Sequence, residues 1–336
     1  MSQRRSRLRV VLLGTLGGTG LAILLGVVPG SALLAGAPQP PAQATPSIPT
    51  VHSAVDGMLP VVAEYRYRML GKLRILFFWV SRDGVGGARI RVRRGDGDAA
   101  GYDMLIGSDP KRAPRGINRW GYILEETRGD QTAVVGLMKK SDEDTLDEAA
   151  SNVAKESQGG VVFNLIQATV TPAESIAKVT TAAVARDYSY RELNPLAEAL
   201  SAGASEPKVR RMPVPAGGRH GLMTSIVELI RDATDAVQRT GQAPGRRSLP
   251  YVFYSKQYEV TRVSASVRKG EAYGGVTYPK LLRASFEVRA KGESWTEKFT
   301  IVSGIGGATD GIPVFVRYQP RWWLAVEMVL DDQERF

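Results

Sequence analysis

An α+β protein is what the sequence predicts: two antiparallel β-sheet blocks, each a curved sheet or half-barrel packed against one or two helices, following an N-terminal signal or anchor segment. Three observations carry that expectation. Residues 312–330 read as an apolar hairpin in which Trp322, Leu324, Val326, Met328 and Leu330 share one face at a period of two. Residues 73–80 are apolar on both faces, with Leu73, Ile75, Phe77 and Trp79 opposite Leu76, Phe78 and Val80, as in a strand covered on both sides. Residues 222–239 place Leu222, Ile226, Leu229, Ile230, Ala233 and Val237 along one helical stripe. Covering the five large side chains of the hairpin at roughly 25 cal/mol per Å² is worth on the order of 10 kcal/mol before entropy, so that face needs a partner.

The chain begins with Arg4, Arg5, Arg7 and Arg9, then an apolar run over 10–34, prolines at 38, 40 and 41, and Ala42-Gln43-Ala44. A basic region, an apolar run and an Ala-x-Ala site form a secretory signal pattern, with cleavage expected after Ala44. The run is also long enough for an uncleaved membrane anchor, with its arginines held in the cytoplasm. Both readings export the rest of the chain, to the periplasm or the extracellular space, with anchoring at the inner membrane left open. Residues 45–60 are rich in Pro and Ser and read as a tether.

The first β-rich block is expected over 61–200. Tyr65, Tyr67 and Met69 alternate with Arg66 and Arg68, residues 83–87 read as a turn, and 88–94 as a strand with Arg89, Arg91 and Arg93 outward. Further strands are expected at 102–106, 120–128, 131–139, 161–170 and 176–185. A helix capped by Ser141 and Asp144 runs over 141–158, and a short one over 190–200. Residues 201–219 mix Gly, Pro, Ser and cations and read as a linker. The second block, 220–336, opens with the amphipathic helix, ended by Gly241, and continues as strands at 251–267, 281–290, 295–303 and the hairpin. No fixed-period repeat is present.

Composition narrows the chemistry. There is no Cys, so disulfides, thiolate metal sites and Cys nucleophiles are excluded. The only histidines are His52 and His220, and neither sits in a nucleophile context. The formal charge is +10; without the four leader arginines, 40 basic residues face 34 acidic ones, or +6. Such a surplus attracts anionic lipid or polysaccharide and also suits plain solubility.

Residues 71–81, Ile106-Gly107-Ser108-Asp109-Pro110, Asn118-Arg119-Trp120-Gly121-Tyr122 and Tyr318-Gln319-Pro320-Arg321-Trp322-Trp323-Leu324 together resemble an exported bacterial family without assigned function. More loosely, the two β blocks are similar to periplasmic β-rich domains of unknown function. The resemblance implies location and fold and brings no catalytic residues with it.

Several motifs have plain explanations. Asp96-Gly97-Asp98 lacks the later ligands of a calcium loop, since Ala100 and Gly107 stand where oxygens are needed. The glycine-rich stretch 303–311 is followed by another strand pattern, so no helix N-terminus is available for phosphate. The acidic pairs Glu125-Glu126 and Asp331-Asp332 point to opposite faces of a strand, which a glycosidase pair cannot do. The most suggestive set is cationic and aromatic: Arg89, Arg91 and Arg93 on a strand, with Arg112, Arg115, Asn118, Arg119, Trp120 and Tyr122 in and after a long loop. Folded together they would bind phosphate or carboxylate and offer a stacking surface; the plainer account is a solvated charged face.

The function expected is that of an exported cell-envelope protein without catalysis or cofactor, binding a lipid, another amphiphile, a glycan or an anionic envelope component, or serving structurally. A hydrolase of envelope polymers and a partner-binding subunit of an envelope complex are the alternatives, and no recognisable motif decides the question of catalysis. Nucleic acid is disfavoured, no metal site is expected, and membrane contact is expected only through an uncleaved N-terminal segment.

Overall fold

The computed structural model describes residues 58–75, 78–139, 148, 151–152, 155–156, 160–202, 205–218, 221–254, 256–321 and 324–331. The leader, most of the tether, His52, His220, Trp322, Trp323 and Asp332 lie outside the described residues. So does most of the helix expected over 141–158, of which residues 148, 151–152 and 155–156 are described and helical.

The strands follow in two runs. The first holds β1 (Val61–Ile75), β2 (Phe78–Arg94), β3 (Ala100–Ser108), β4 (Trp120–Arg128), β5 (Gln131–Lys139), β6 (Val161–Val170), β7 (Glu174–Val184) and β8 (Lys208–Pro213). The second holds β9 (Arg247–Phe253), β10 (Lys256–Arg268), β11 (Glu271–Tyr273), β12 (Val276–Tyr278), β13 (Leu281–Ala290), β14 (Glu297–Gly304), β15 (Pro313–Arg321) and β16 (Leu324–Leu330). Besides the helical residues of 148–156, α1 (Leu193–Ala202) precedes β8 and α2 (Leu222–Thr240) lies between the runs. Residues 208–213, inside the segment read as a linker, form β8 on the edge of β7.

The expected α+β arrangement of two sheet blocks is overturned by the pairing. Among the described residues, fourteen strands form one antiparallel sheet in the order β8-β7-β6-β5-β4-β3-β2-β1-β16-β15-β14-β13-β10-β9, and β11 and β12 stand apart as a small ribbon. The two runs join where β16 pairs with β1, from Tyr67 opposite Leu330 to Leu73 opposite Leu324. Side-chain periodicity tells which face a residue takes, not which strand lies beside it, so the junction left no trace in the pattern. Its physical reason is that β1 and β16 would each otherwise expose a long row of unpaired backbone groups.

The turn expected over 83–87 does not form. Residues 83–87 are not a turn but part of β2, where the register against β1 jumps from Met69 opposite Gly86 to Leu70 opposite Asp83. The extra residues make a bulge, and Gly84 supplies its left-handed conformation at φ 63°. β1 and β2 continue past it to the pair Ile75–Phe78.

The sheet curls around α2. One buried cluster joins Ala177 on β7, Ile123 on β4, Val260 on β10 and Phe299 on β14 to Leu229 and Ala233 of α2, which a flat sheet of this order could not do. The edges come close where Gln257 Nε2 donates to the Pro213 carbonyl at 3.0 Å. On the outside, α1 sets Leu196 and Leu200 over Trp120, Phe163 and Val184. The barrel-like sheet therefore has α2 within and α1 without.

Candidate functional site

The cationic and aromatic residues singled out from the sequence lie on the outer face, in separate groups. Arg89, Arg91, Arg93 and Tyr122 surround Asp103 on the neighbouring strand. Arg91 Nε donates to Asp103 Oδ1 at 2.8 Å and Arg93 Nε to Oδ2 at 2.7 Å, while Asp103 is 0% exposed. Arg93 also donates to the Leu59 carbonyl at 2.7 Å. Burial, then the charge of Arg91, lowers the pKa of Arg89.

Asn118, Arg119 and Trp120 belong to a second network. Asn118 Nδ2 and Trp120 Nε1 both donate to the Tyr188 carbonyl, at 2.9 and 2.8 Å, and the Trp120 ring packs on Phe163 at 5.4 Å. The fully buried Lys139 ammonium donates to the Asn118 carbonyl at 3.0 Å and pairs with Glu156 at 2.7 Å and Asp187 at 2.8 Å. Arg119 joins Glu156 at 3.2 Å. Arg112 and Arg115 stay exposed in the loop, where Arg112 reaches the bulge of β2 through the Asp83 carbonyl at 3.5 Å. The loop thus folds onto the bulge and not over the arginine ladder.

The acidic pair in β4 separates as strand geometry requires. Glu126 turns outward and accepts from the Leu59 amide at 2.8 Å. Glu125 turns inward to α2. Its carboxylate accepts from the amides of Met223 at 3.0 Å and Thr224 at 2.9 Å, and from the Thr224 hydroxyl at 3.1 Å. The helix N-cap, Gly221, has no side chain to offer, so a residue from the sheet does the capping. Burial raises the pKa of Glu125, and the donors of Thr224 and Met223 pull it back only in part. Burial likewise raises the phenol of Tyr251, which also feels Tyr258, stacked on it at 5.1 Å, and Glu125.

A second anchor fixes the middle of α2. Arg262 on β10, 1% exposed, donates to the Leu229 carbonyl at 2.6 Å, to Asp232 at 2.8 Å and to the Gly245 carbonyl at 3.0 Å. Arg247 adds ion pairs with Glu228 at 2.7 Å and Asp232 at 3.0 Å. These ties, with the packed face of Leu229, Ala233 and Val237, hold α2 against β9 and β10.

Its other face is left with space. Between Met223, Val227 and Ile230 of α2 and the inner side chains of β1, β2 and β16 lies a cavity of about 320 Å³. Tyr65 and Tyr67 come from β1, Ala88, Ile90 and Val92 from β2, and Val326 and Met328 from β16. The wall is almost wholly apolar. The rim is not: Arg94 at the end of β2, Arg231 and Asp235 of α2, and Asp310 in the loop before β15 are exposed there. That loop, within the glycine-rich stretch 303–311, carries a 3-10 turn and is tied to α2 by Gln238 Nε2 donating to Asp310 at 3.4 Å.

An apolar, concave space with a few polar groups at its mouth is the usual form of a small-molecule site. The inward faces of these strands follow from their alternation, but the site does not, because a cavity is a failure of filling between elements. The only signal was the helix stripe: α2 has apolar residues on more of its circumference than one packed face needs, since Met223 and Val227 join Ile226 and Ile230. Among the described residues, no group of three or more His, Asp and Glu gathers as a metal site would require, and no described helix is long and apolar enough to cross a membrane.

No family model matches the chain, and no curated protein matches it. Among solved structures it is similar to a beta-barrel-like protein of the domain of unknown function DUF1849 from Brucella abortus, over 81% of this chain and 98% of that one. The identity is 8% and the TM-score 0.36, a likeness too slight to bear on function.

Proposed function

We propose that the protein binds an amphiphile without catalysis, and that it does so in the cell envelope. The observation that carries the first half is the cavity of about 320 Å³ walled by α2 and the inner faces of β1, β2 and β16, apolar within and charged at its rim. Water in such a space has few partners, and a hydrocarbon chain displaces it favourably. The second half rests on the leader: four arginines, an apolar run and an Ala-x-Ala site are an export signal or an anchor. An envelope protein with an apolar chamber meets lipids and their breakdown products as its commonest amphiphiles.

The test uses the full chain, delipidated and refolded if required, against a panel of fatty acids, lysolipids and diacyl lipids, with native mass spectrometry and thermal melting. A ligand at a hundred times its Kd adds about 2.7 kcal/mol to stability, a readily measured shift in Tm. A mass adduct and an upward shift with at least one class are expected. The absence of both across the panel overturns the proposal. Location is tested separately, by fractionating cells that express the chain with a C-terminal tag; recovery in the cytosol with the leader intact overturns that half.

A further inference from the structure

Resting on the amphiphile reading, we infer that the cavity takes a single-chain zwitterionic amphiphile: one acyl chain with a head bearing both a phosphate and an ammonium group, as a lysophospholipid does. The size sets the chain. An apolar cavity of about 150 Å³ suffices for the six carbons of benzene, so about 320 Å³ holds roughly a dozen carbons and leaves no room for a second chain beside the first.

The rim sets the head. Arg94 lies over the Tyr102 ring at 5.7 Å and donates to the Arg93 carbonyl at 3.1 Å, but has no carboxylate partner among the described residues. Arg231 has no ion pair among them either. One turn along α2 from Arg231 stands Asp235, whose carboxylate makes no ion pair among the described residues, and in the loop before β15 stands Asp310, which accepts from the Gly306 amide at 2.6 Å and from Gln238 and has lone pairs remaining. Two cations and two anions around one mouth are matched by a head that carries both signs. A purely anionic head would meet Asp235 and Asp310, and a purely cationic one Arg94 and Arg231.

A third observation lies below the rim. Thr234 is 4% exposed and lines the cavity, and its hydroxyl has no hydrogen-bond partner among the described residues. Buried hydroxyls are almost always paired. An ester or phosphate oxygen at the junction of chain and head supplies the acceptor that Thr234 lacks, and so fixes how deep the chain enters.

Four dodecyl probes separate the terms: lauroyl lysophosphatidylethanolamine, dodecyl phosphate, dodecylamine and dodecanol, each titrated below its micellar concentration into the delipidated full chain by calorimetry, with dilauroyl phosphatidylethanolamine as the two-chain control. The lysolipid is expected to bind about tenfold more tightly than dodecanol, one charge-assisted contact's worth. Arg231→Gln should weaken the lysolipid and dodecyl phosphate and leave dodecanol unchanged. Asp235→Asn should weaken the lysolipid and tighten dodecyl phosphate. Equal binding of all four heads, or dodecyl phosphate or dodecylamine binding more tightly than the lysolipid, overturns the zwitterion while the amphiphile reading stands. Tighter binding of the dilauroyl lipid overturns the single chain. Failure of every probe to bind sinks the amphiphile reading itself.

Discussion

The carboxylate of Glu125 occupies the space that a side chain on Gly221 would fill: a Cβ built on that glycine overlaps the carboxyl group itself. Gly221 has φ −78° and ψ −177°, an extended conformation open to any residue, so the glycine is there for room and not for its backbone freedom. The start of α2 and the middle of β4 are built as one unit.

That unit predicts a coupling. Glu125→Ala leaves the buried amides of Met223 and Thr224 without an acceptor and should cost about 2 kcal/mol in urea unfolding. Gly221→Ala should cost a similar amount in the native background, because it displaces the carboxylate, and less than about 0.5 kcal/mol once Glu125 is alanine. Strict additivity in this double-mutant cycle would show that the two residues do not share one space.

The same carboxylate sets a dependence on pH. Burial raises its pKa, so the folded protein holds this proton more firmly than the unfolded chain does. Its contribution is then full below the ordinary glutamate range, near pH 4.3, and is lost as pH rises through the raised value. Glu125→Gln does not titrate at this position. The Tm of the native protein minus that of Glu125→Gln should therefore increase as buffer is taken from pH 8 down to about pH 4.5. A difference that is flat or falls over that range contradicts the assignment.

The outer-face cations divide sharply in what their removal should do. Arg93→Ala strips Asp103, a carboxylate with no exposure, of one of its two arginines and should cost about 3 kcal/mol or more. Arg112→Ala, in the exposed loop, should stay within about 0.5 kcal/mol. Chemical denaturation of the two variants measures this; equal small losses would mean that the Asp103 network is no more than a screened surface.

These contrasts also show what the sequence disclosed. Strands at 120–128, 131–139, 161–170 and 281–290 lie where their apolar alternation places them, and α2 differs from its expected span by one residue. Arg89, Arg91 and Arg93 do point outward together. What the pattern could not say is that Asp103 waits opposite them, because a single acid in Tyr102-Asp103-Met104 has no periodicity. The pairing of β16 with β1 spans most of the chain and depends on edge satisfaction, which local pattern does not encode. The cavity depends on both, being the part of the interior that α2 does not fill once Arg262 holds it to the opposite wall.

Arg262 is therefore the residue whose loss should move α2. Arg262→Ala removes the bonds to the Leu229 and Gly245 carbonyls and leaves Asp232 with Arg247 alone, a change of about 3 kcal/mol or more. Arg262→Lys keeps the charge, but a single ammonium cannot stand where both Nη1 and Nη2 do, and this variant should fall between. Hydrogen exchange should report faster opening of residues 222–240 in both. Unchanged protection there would mean that apolar packing alone seats the helix.

If the empty side of α2 is a chamber and not loose packing, filling it should help the empty protein and harm binding. Ala88 lies on the cavity wall, between Tyr67 and Ile106 in the sheet. Ala88→Leu extends apolar atoms toward that space, and should raise stability by about 0.5–2 kcal/mol in the delipidated protein while weakening uptake of a dodecyl amphiphile. Ala284, on β13 and 1% exposed, packs in the cluster around α2 and away from the cavity wall, so Ala284→Leu should be destabilising by about 1–3 kcal/mol through overpacking. Opposite signs for two alanine-to-leucine changes on one inner face are the mark of a real void at one of them. The same sign at both would mean that the space beside α2 closes in solution, and with it the reason to expect a ligand there.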